Sequence, residues 1–478
     1  MRWLLMLAAL AVLAPAQTVS AYVRAHQAAW TQQFSALLAI PNLASDTANI
    51  ERNAAAIERL YQAAGAHVEL LRLPGVPPVV FATYDVPGAR GTVTFYAHYD
   101  GQPTHPEDWK IPPFQPEVRD GRIWARSAGD DKAAVFGFAA ALEALRATGA
   151  HPRANLHFFL EGEEEAGSPH LAAYLARYAP QLATGAWIIC DGPVYQNGAM
   201  QVFFGARGVT DMDLTVYGPN RALHDGHYGN WAPNPNAMLT RLLAAMRDDN
   251  GHILIPGFYR DVRPLAAADR AAIAALPPYD ATLEKNFGLD RTEGAPQPLA
   301  ERIARPALNI RGLAGGHVGP GAANAIPTEA TASIDIRLVP AQTPARVQTL
   351  VEAFLRQRGY FIVRQPPDAA TRLAHPRIAL VRWGPGYPAS TVPLDAPFSR
   401  QVVALIEHAL GHAIVKLPIM GGSVPMYLFR GQNNTPVIGV PIANYDDNQH
   451  AANENLRLDY LWQGIAVYAA LFTGLNQD

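Results

Sequence analysis

The sequence predicts an α/β protein with a mainly parallel sheet, interrupted by an inserted α+β domain. Three observations carry this. Short apolar runs of strand length alternate with helical patterns over residues 17–206 and again over 388–478, the rhythm of βαβ units. Between them, in 207–387, the stretches 209–217 and 330–338 alternate apolar and polar residues, as half-exposed antiparallel strands do. At 478 residues the chain is also too long for one ordinary core.

The elements follow in order. Met1-Arg2-Trp3, the apolar run 4–14 and Ala14-Pro15-Ala16 form a charged start, a short apolar segment and a small-residue cleavage site. Residues 1–16 therefore read as a signal peptide cut after Ala16, since a membrane span needs about 20 apolar residues. The expectation is a secreted or periplasmic protein with no membrane contact once the signal is removed. The single cysteine, Cys190, forbids an intrachain disulfide.

A helix over 20–40 gathers Tyr22, Trp30, Phe34, Leu37 and Leu38 and stops before Pro41. A second, 47–64, sets Ile50, Ala54, Ile57 and Tyr61 on one face and ends at Gly65. Strands at 68–73, 79–84 and 92–96 come next, and the last delivers Ala97-His98-Tyr99-Asp100. A proline-rich loop (Pro103, Pro106, Pro112, Pro113, Pro116) leads to Gly129-Asp130-Asp131-Lys132 and a long apolar helix, 133–148. The strand 154–159 runs into Leu160-Glu161-Gly162-Glu163-Glu164-Glu165-Ala166-Gly167-Ser168. After a helix at 169–178, the strand 186–190 ends at Asp191. The inserted domain adds helices at 235–246 and 344–358, the latter with Thr343 as N-cap and Pro344 in its first position. The chain returns through a helix at 399–410, the loop Met420-Gly421-Gly422-Ser423, a strand at 436–440 and a final helix, 459–475.

Composition narrows the function. With 49% hydrophobic and 17% charged residues, a net charge of -3 and no basic stripe, nothing suggests a nucleic-acid partner. The chemistry-bearing residues lie elsewhere. Glu161, Glu163, Glu164 and Glu165 close a buried strand, where their charges repel unless water or cations reach them. His98, Asp191 and, after a loop, His450 also follow predicted strand ends, and Asp130 opens the helix after His98. Taken singly, each reads as structural: a helix cap, a turn aspartate, a surface histidine. Together they sit where open α/β sheets collect functional groups. Nitrogen and oxygen donors in this mixture suit zinc, with manganese or cobalt as substitutes. Five ligands allow two metals with three protein ligands each, if one carboxylate is shared.

These motifs, with His224-Asp225-Gly226-His227-Tyr228-Gly229 and Gly421-Gly422-Ser423, resemble those of the di-zinc exopeptidases of carnosinase, carboxypeptidase G and aminoacylase type. The order matches across nearly the whole chain after the signal, and the dipeptidase branch matches best. The resemblance implies a zinc-exopeptidase-like catalytic domain and a lid and dimerisation domain, in a homodimer holding two Zn2+ per subunit. It implies that His98 and Asp191 hold one zinc, Glu165 and His450 the other, and that Asp130 bridges them. Asp100 then orients His98, and the Asp130–Asp131 bond, often cis in such enzymes, presents the bridging carboxylate, with Asp131 supporting it. Glu164 is implied as general base on a metal-bridging water; Glu161 and Glu163 are left as solvated or supporting groups. His224 is implied to steady the oxyanion, often from the partner subunit, and Arg337 to grip a substrate carboxylate. Asn324 adds a polar contact, and Gly422 and Ser423 bring backbone N–H groups to the substrate.

The expected activity is hydrolysis of dipeptides or short peptides next to a free C-terminal carboxylate. Three departures qualify it. Met420 stands where an acidic residue usually precedes the Gly-Gly-Ser turn, Asp225 stands where serine is usual, and Ala125-Arg126-Ser127 replaces a more glycine-rich lead. The metal set is untouched, but recognition of a free amine is not, so an N-acyl-amino-acid amidohydrolase is the alternative. A non-catalytic binding protein on the same fold is the second alternative; it would be expected to have lost ligands, and the full set is present.

Overall fold

The computed structural model describes residues 15–422, 424–431 and 434–476. Most of the expected signal peptide and Ser423 lie outside the described residues. Among the described residues no helix is long and apolar enough to cross a membrane.

Contacts divide the chain into two units. The first comprises residues up to Val202, Leu394–Lys416 and the stretch from Gly431 on; the second comprises Phe203–Pro393 and Leu417–Arg430. The stretch Leu417–Arg430, expected with the last part of the first domain, packs with the second unit. There the Met420 N–H donates to Gly205 O at 2.7 Å, and the Arg207 guanidinium donates twice to Gly421 O at 2.8 and 2.9 Å. Tyr387 also stacks on Tyr427.

The first unit is built on an eight-stranded sheet. Its order from edge to edge is His67–Leu71, Val79–Tyr84, Asn155–Glu161, Thr92–His98, Ala186–Ile189, Val437–Gly439, Gln201–Phe203 and Val415–Leu417. Thr92–His98 runs parallel to both its neighbours, and Ala186–Ile189 parallel to Val437–Gly439; His67–Leu71 and Val79–Tyr84 are antiparallel. The central strands are apolar throughout because both faces are covered. Val93, Phe95, Leu156, Phe158, Ile188 and Ile438 are each fully buried. The helix Lys132–Thr148 is buried nearly all round, which explains its run of alanines, and Gly149 ends it in the left-handed conformation (φ 71°). The helix Thr47–Ala63 starts on Asp46, whose carboxylate accepts from Asn49 N–H.

The second unit is a five-stranded sheet in the order Ala307–Ala314, Glu329–Leu338, Gly208–Tyr217, Ile378–Trp383, Phe361–Val363. All pairs are antiparallel except the last. The helices Pro235–Met246 and Pro344–Gln357 cover one face, where Met212, Leu214, Ala332, Ile334 and Ile336 meet Leu239, Leu243, Val351 and Phe354. The alternation at 330–338 thus faces helices on one side. Sequence reasoning missed the edge strand Ala307–Ala314: it buries one residue only and carries a bulge between Ile310 and Gly312, so it shows no alternation.

Candidate metal centre

The parallel strands bring their carboxyl ends to one place. Thr92–His98 ends on His98, Asn155–Glu161 leads into a short turn holding Glu164 and Glu165, and Asp191 follows Ala186–Ile189. The loop after Val437–Gly439 carries His450, which sits at φ 59°, a conformation rare outside glycine. The glycine in the Glu-Gly-Glu motif is forced: a Cβ on Gly162 would lie 2.5 Å from the Tyr99 hydroxyl.

Two clusters result. Ligand atoms of His98, Asp130 and Asp191 lie within 4.8 Å of one another, and so do those of Asp130, Glu165 and His450. Asp130 belongs to both, and its two oxygens divide between them. Oδ1 lies 2.9 Å from His98 Nε2, and Oδ2 lies 3.0 Å from His450 Nε2. His450 Nε2 is also 3.2 Å from Glu165 Oε2. Five residues from separate parts of the chain thus present two sets of donors with one carboxylate in common.

The charges fit a pair of cations. Burial and the neighbouring Asp130 push Asp191 up to about 7. Burial, together with Asp191, Asp130 and Glu165, pushes Glu164 well above the usual carboxylate range. Hydrogen bonds that His450 donates to Asp130 and Glu165 hold its ring up at about 10. Burial alone would raise Asp130 too, but hydrogen bonds from His450 and His98 hold it far below the ordinary range. So many anionic donors in one buried spot call for positive charge, which divalent cations supply.

The supporting contacts are specific. Asp100 accepts the Glu164 and Glu165 N–H groups at 3.0 and 2.9 Å and lies 3.4 Å from His98 Nδ1, so one carboxylate aligns the histidine and the glutamate turn. Asp131 is buried and accepts from His98 N–H at 3.3 Å instead of capping its helix; the Asp130–Asp131 peptide is cis. Glu161 and Glu163 are both buried, so the solvated reading fails for them. Glu161 accepts from the Tyr96 hydroxyl at 2.7 Å, and Glu163 binds the His170 N–H and ring. The Glu164 side chain, by contrast, enters no hydrogen bond among the described residues. Sequence reasoning missed three participants. Gln102 donates to Glu165 at 2.8 Å, Gln449 donates to Asp130 at 2.9 Å, and Glu454 binds the Asp130 loop. The amides carry no charge signal in a sequence; Glu454, four residues after His450, had a detectable one.

The remaining expected residues lie in the second unit. His224 and Ala325 are register partners, which sets His224 beside Asn324; both residues are exposed, and Asn324 O accepts from Asp225 N–H. The Gly226 N–H donates to His224 Nδ1 at 3.1 Å, which makes Nδ1 the acceptor of the ring and Nε2 its N–H donor. Arg337 lies on the sheet face opposite Ile336, and its Nε donates to Asp335 at 2.7 Å. Gly422 is exposed.

The model of peptidase family M20/M25/M40 matches residues 94–473. The chain belongs to that family. It is a metallopeptidase. It is 28% identical over 402 residues to the Cys-Gly metallodipeptidase dug1 of Schizosaccharomyces pombe, covering 82% of each chain. It is 27% identical over 416 residues to the human Beta-Ala-His dipeptidase, covering 84% of this chain and 78% of that one. Among solved structures it is similar to the metallo-carboxypeptidase Sso-CP2 of Sulfolobus solfataricus, with a TM-score of 0.78 and 25% identity over 93% of this chain and 98% of that one. The α/β fold with a separate, mostly antiparallel second unit is the family's.

Proposed function

We propose that the protein is a di-zinc dipeptidase that hydrolyses the amide bond next to a free C-terminal carboxylate. The observation that carries this is Asp130, whose two oxygens each face one of two donor clusters. The dipeptidases among its relatives supply the substrate class. His98, Asp130 and Asp191 would hold one cation, and Asp130, Glu165 and His450 the other. When bound, such a pair supplies Lewis acidity and a water acidic enough to be deprotonated near neutral pH. The chain's own work is proton transfer and orientation. Glu164, whose side chain enters no hydrogen bond among the described residues, takes the water's proton and returns it to the leaving amine. Arg337, its fork aligned by Asp335, binds the carboxylate, and His224 offers its Nε2–H to the oxyanion.

The test is a hydrolysis screen of dipeptides, C-terminally amidated dipeptides and N-acyl amino acids with zinc supplied. Dipeptides with a free carboxylate should be cleaved fastest. Preferential cleavage of N-acyl amino acids, in keeping with Met420, would move the protein to the amidohydrolase reading. In the same screen Arg337→Ala should lower kcat/KM about 10- to 100-fold on free-carboxylate substrates, mainly through KM, the worth of a charged hydrogen-bonded pair. Equal losses on amidated substrates would exclude the clamp.

The second unit also supports a homodimer. Its edge strand Ala307–Ala314 leaves Leu313 60% exposed, and Val318 and Trp231 are more exposed still. If His224 acts across that dimer, mixing inactive His224→Ala and Glu164→Ala chains should restore about a quarter of wild-type activity. Half the dimers are then mixed, each with one complete site. No recovery after confirmed subunit exchange would place His224 in its own subunit's site.

A further inference from the structure

Glu454 is fully buried, yet it is neither among the donors nor near solvent. Its two oxygens accept four hydrogen bonds. Oε2 takes Arg126 Nη1 at 2.7 Å and Ser127 N–H at 2.8 Å; Oε1 takes Gly129 N–H and Asp130 N–H, both at 3.0 Å. The Glu454 carbonyl also accepts from Ala125 N–H at 3.1 Å. The segment it holds does not sit there by its own preference, because Ser127 is at φ 62°. Arg126 is itself buried, with its guanidinium 5.1 Å over the Trp109 ring.

The other end of Glu454 is the loop that carries His450. That loop bends through three non-glycine residues at positive φ, Asn448, His450 and Asn453. Asn448 Nδ2 donates to Asn453 O, and Asn455 Nδ2 donates to Asp447 O. A single carboxylate therefore ties a bent loop bearing one candidate ligand to a bent loop bearing another. Asp130 must serve two clusters with its two oxygens, so a shift of a few tenths of an ångström in its main chain disturbs both at once.

We infer that Glu454 is a positioning residue of the metal centre, a buried staple that fixes the Asp130 main chain against the His450 loop. The inference rests on the di-metal reading proposed above. Four donors, one of them the Asp130 amide itself, make it more than a salt bridge to Arg126. In Glu454→Gln one oxygen becomes an NH2 that meets N–H donors, so at least one loop amide loses its acceptor.

The test is zinc titration of the full chain by calorimetry, beside steady-state kinetics on a dipeptide. The wild type should take up two zinc ions. Glu454→Gln should bind zinc about 10- to 100-fold more weakly, the usual effect of losing a partner behind the ligands. Its kcat should fall while KM changes little. A folded Glu454→Gln protein with wild-type zinc affinity and kcat, altered only in Tm, would make the residue merely structural and overturn the inference. A wild type that binds no zinc would overturn the metal reading instead. If Glu454→Gln does not fold, amide exchange on the wild-type protein decides. Gly129 and Asp130 amides should exchange as slowly as those of the strand Thr92–His98, and exchange at open-loop rates would refute the staple.

Discussion

Glu164→Gln should bind metal as the wild type does and turn over dipeptide ~10³-fold more slowly, the scale of a lost general base. Four glutamates compete for this role in the sequence, and the contacts remove three of them. Glu161 is fixed to Tyr96, Glu163 to His170, and Glu165 lies against His450 and Gln102. Among the described residues, Glu164 alone is hydrogen-bonded only through its backbone, as in the bond from its N–H to Asp100. Glutamine keeps the shape and loses the basic oxygen, so KM should move little. The measurement is kcat and KM on a dipeptide, with zinc content determined on the same preparation. Near-wild-type kcat with metal bound would exclude Glu164 and leave the proton without a carrier.

Stripping divalent cations should remove activity altogether and lower stability as well. The donors come from three strand ends, the start of a helix and a bent loop, and without cations their charges oppose one another in a buried site. A ligand present at about a thousand times its Kd adds roughly 4 kcal/mol to stability, so Tm should fall on chelation and recover on reloading. The expected record is loss of hydrolysis with a strong chelator, a lower Tm in the same sample, and return of both with zinc. Full activity after exhaustive chelation would mean that Asp130, Glu165 and Asp191 do something else.

The parts of this architecture that were legible in the sequence are those in which chemistry and periodicity coincide. His98, Asp191 and the glutamate run each follow an apolar strand, and a buried parallel strand is among the plainest of patterns. The paired strands Gly208–Tyr217 and Glu329–Leu338 were equally plain, because one face meets helices and the other does not. The edge strand Ala307–Ala314 was silent, since an exposed strand with a bulge has no apolar phase to read. The helices Ala267–Ala274, Asp280–Phe287 and Leu299–Ile303 were missed for a related reason: each is short and buries at most one residue. At the site, Gln102 and Gln449 could not be found by strand-end logic, because uncharged amides that reach across from other loops leave no signal. Glu454 left one, a carboxylate four residues after His450, but its partners at 126–130 are distant in sequence. The fate of Leu417–Arg430 was hidden too, because a main-chain bond from Met420 N–H to Gly205 O and the reach of the Arg207 guanidinium to Gly421 O decide it rather than any apolar periodicity.

We propose that five residues, His98, Asp130, Glu165, Asp191 and His450, hold two cations with Asp130 between them. Elemental analysis of the purified chain, reloaded with zinc and freed of excess, tests it most directly. Close to two ions per chain are expected in the wild type and a clear loss in Asp130→Ala, which removes the shared donor from both clusters. A wild-type chain with no stoichiometric transition metal after reloading, or an Asp130→Ala chain that keeps both ions, would contradict it.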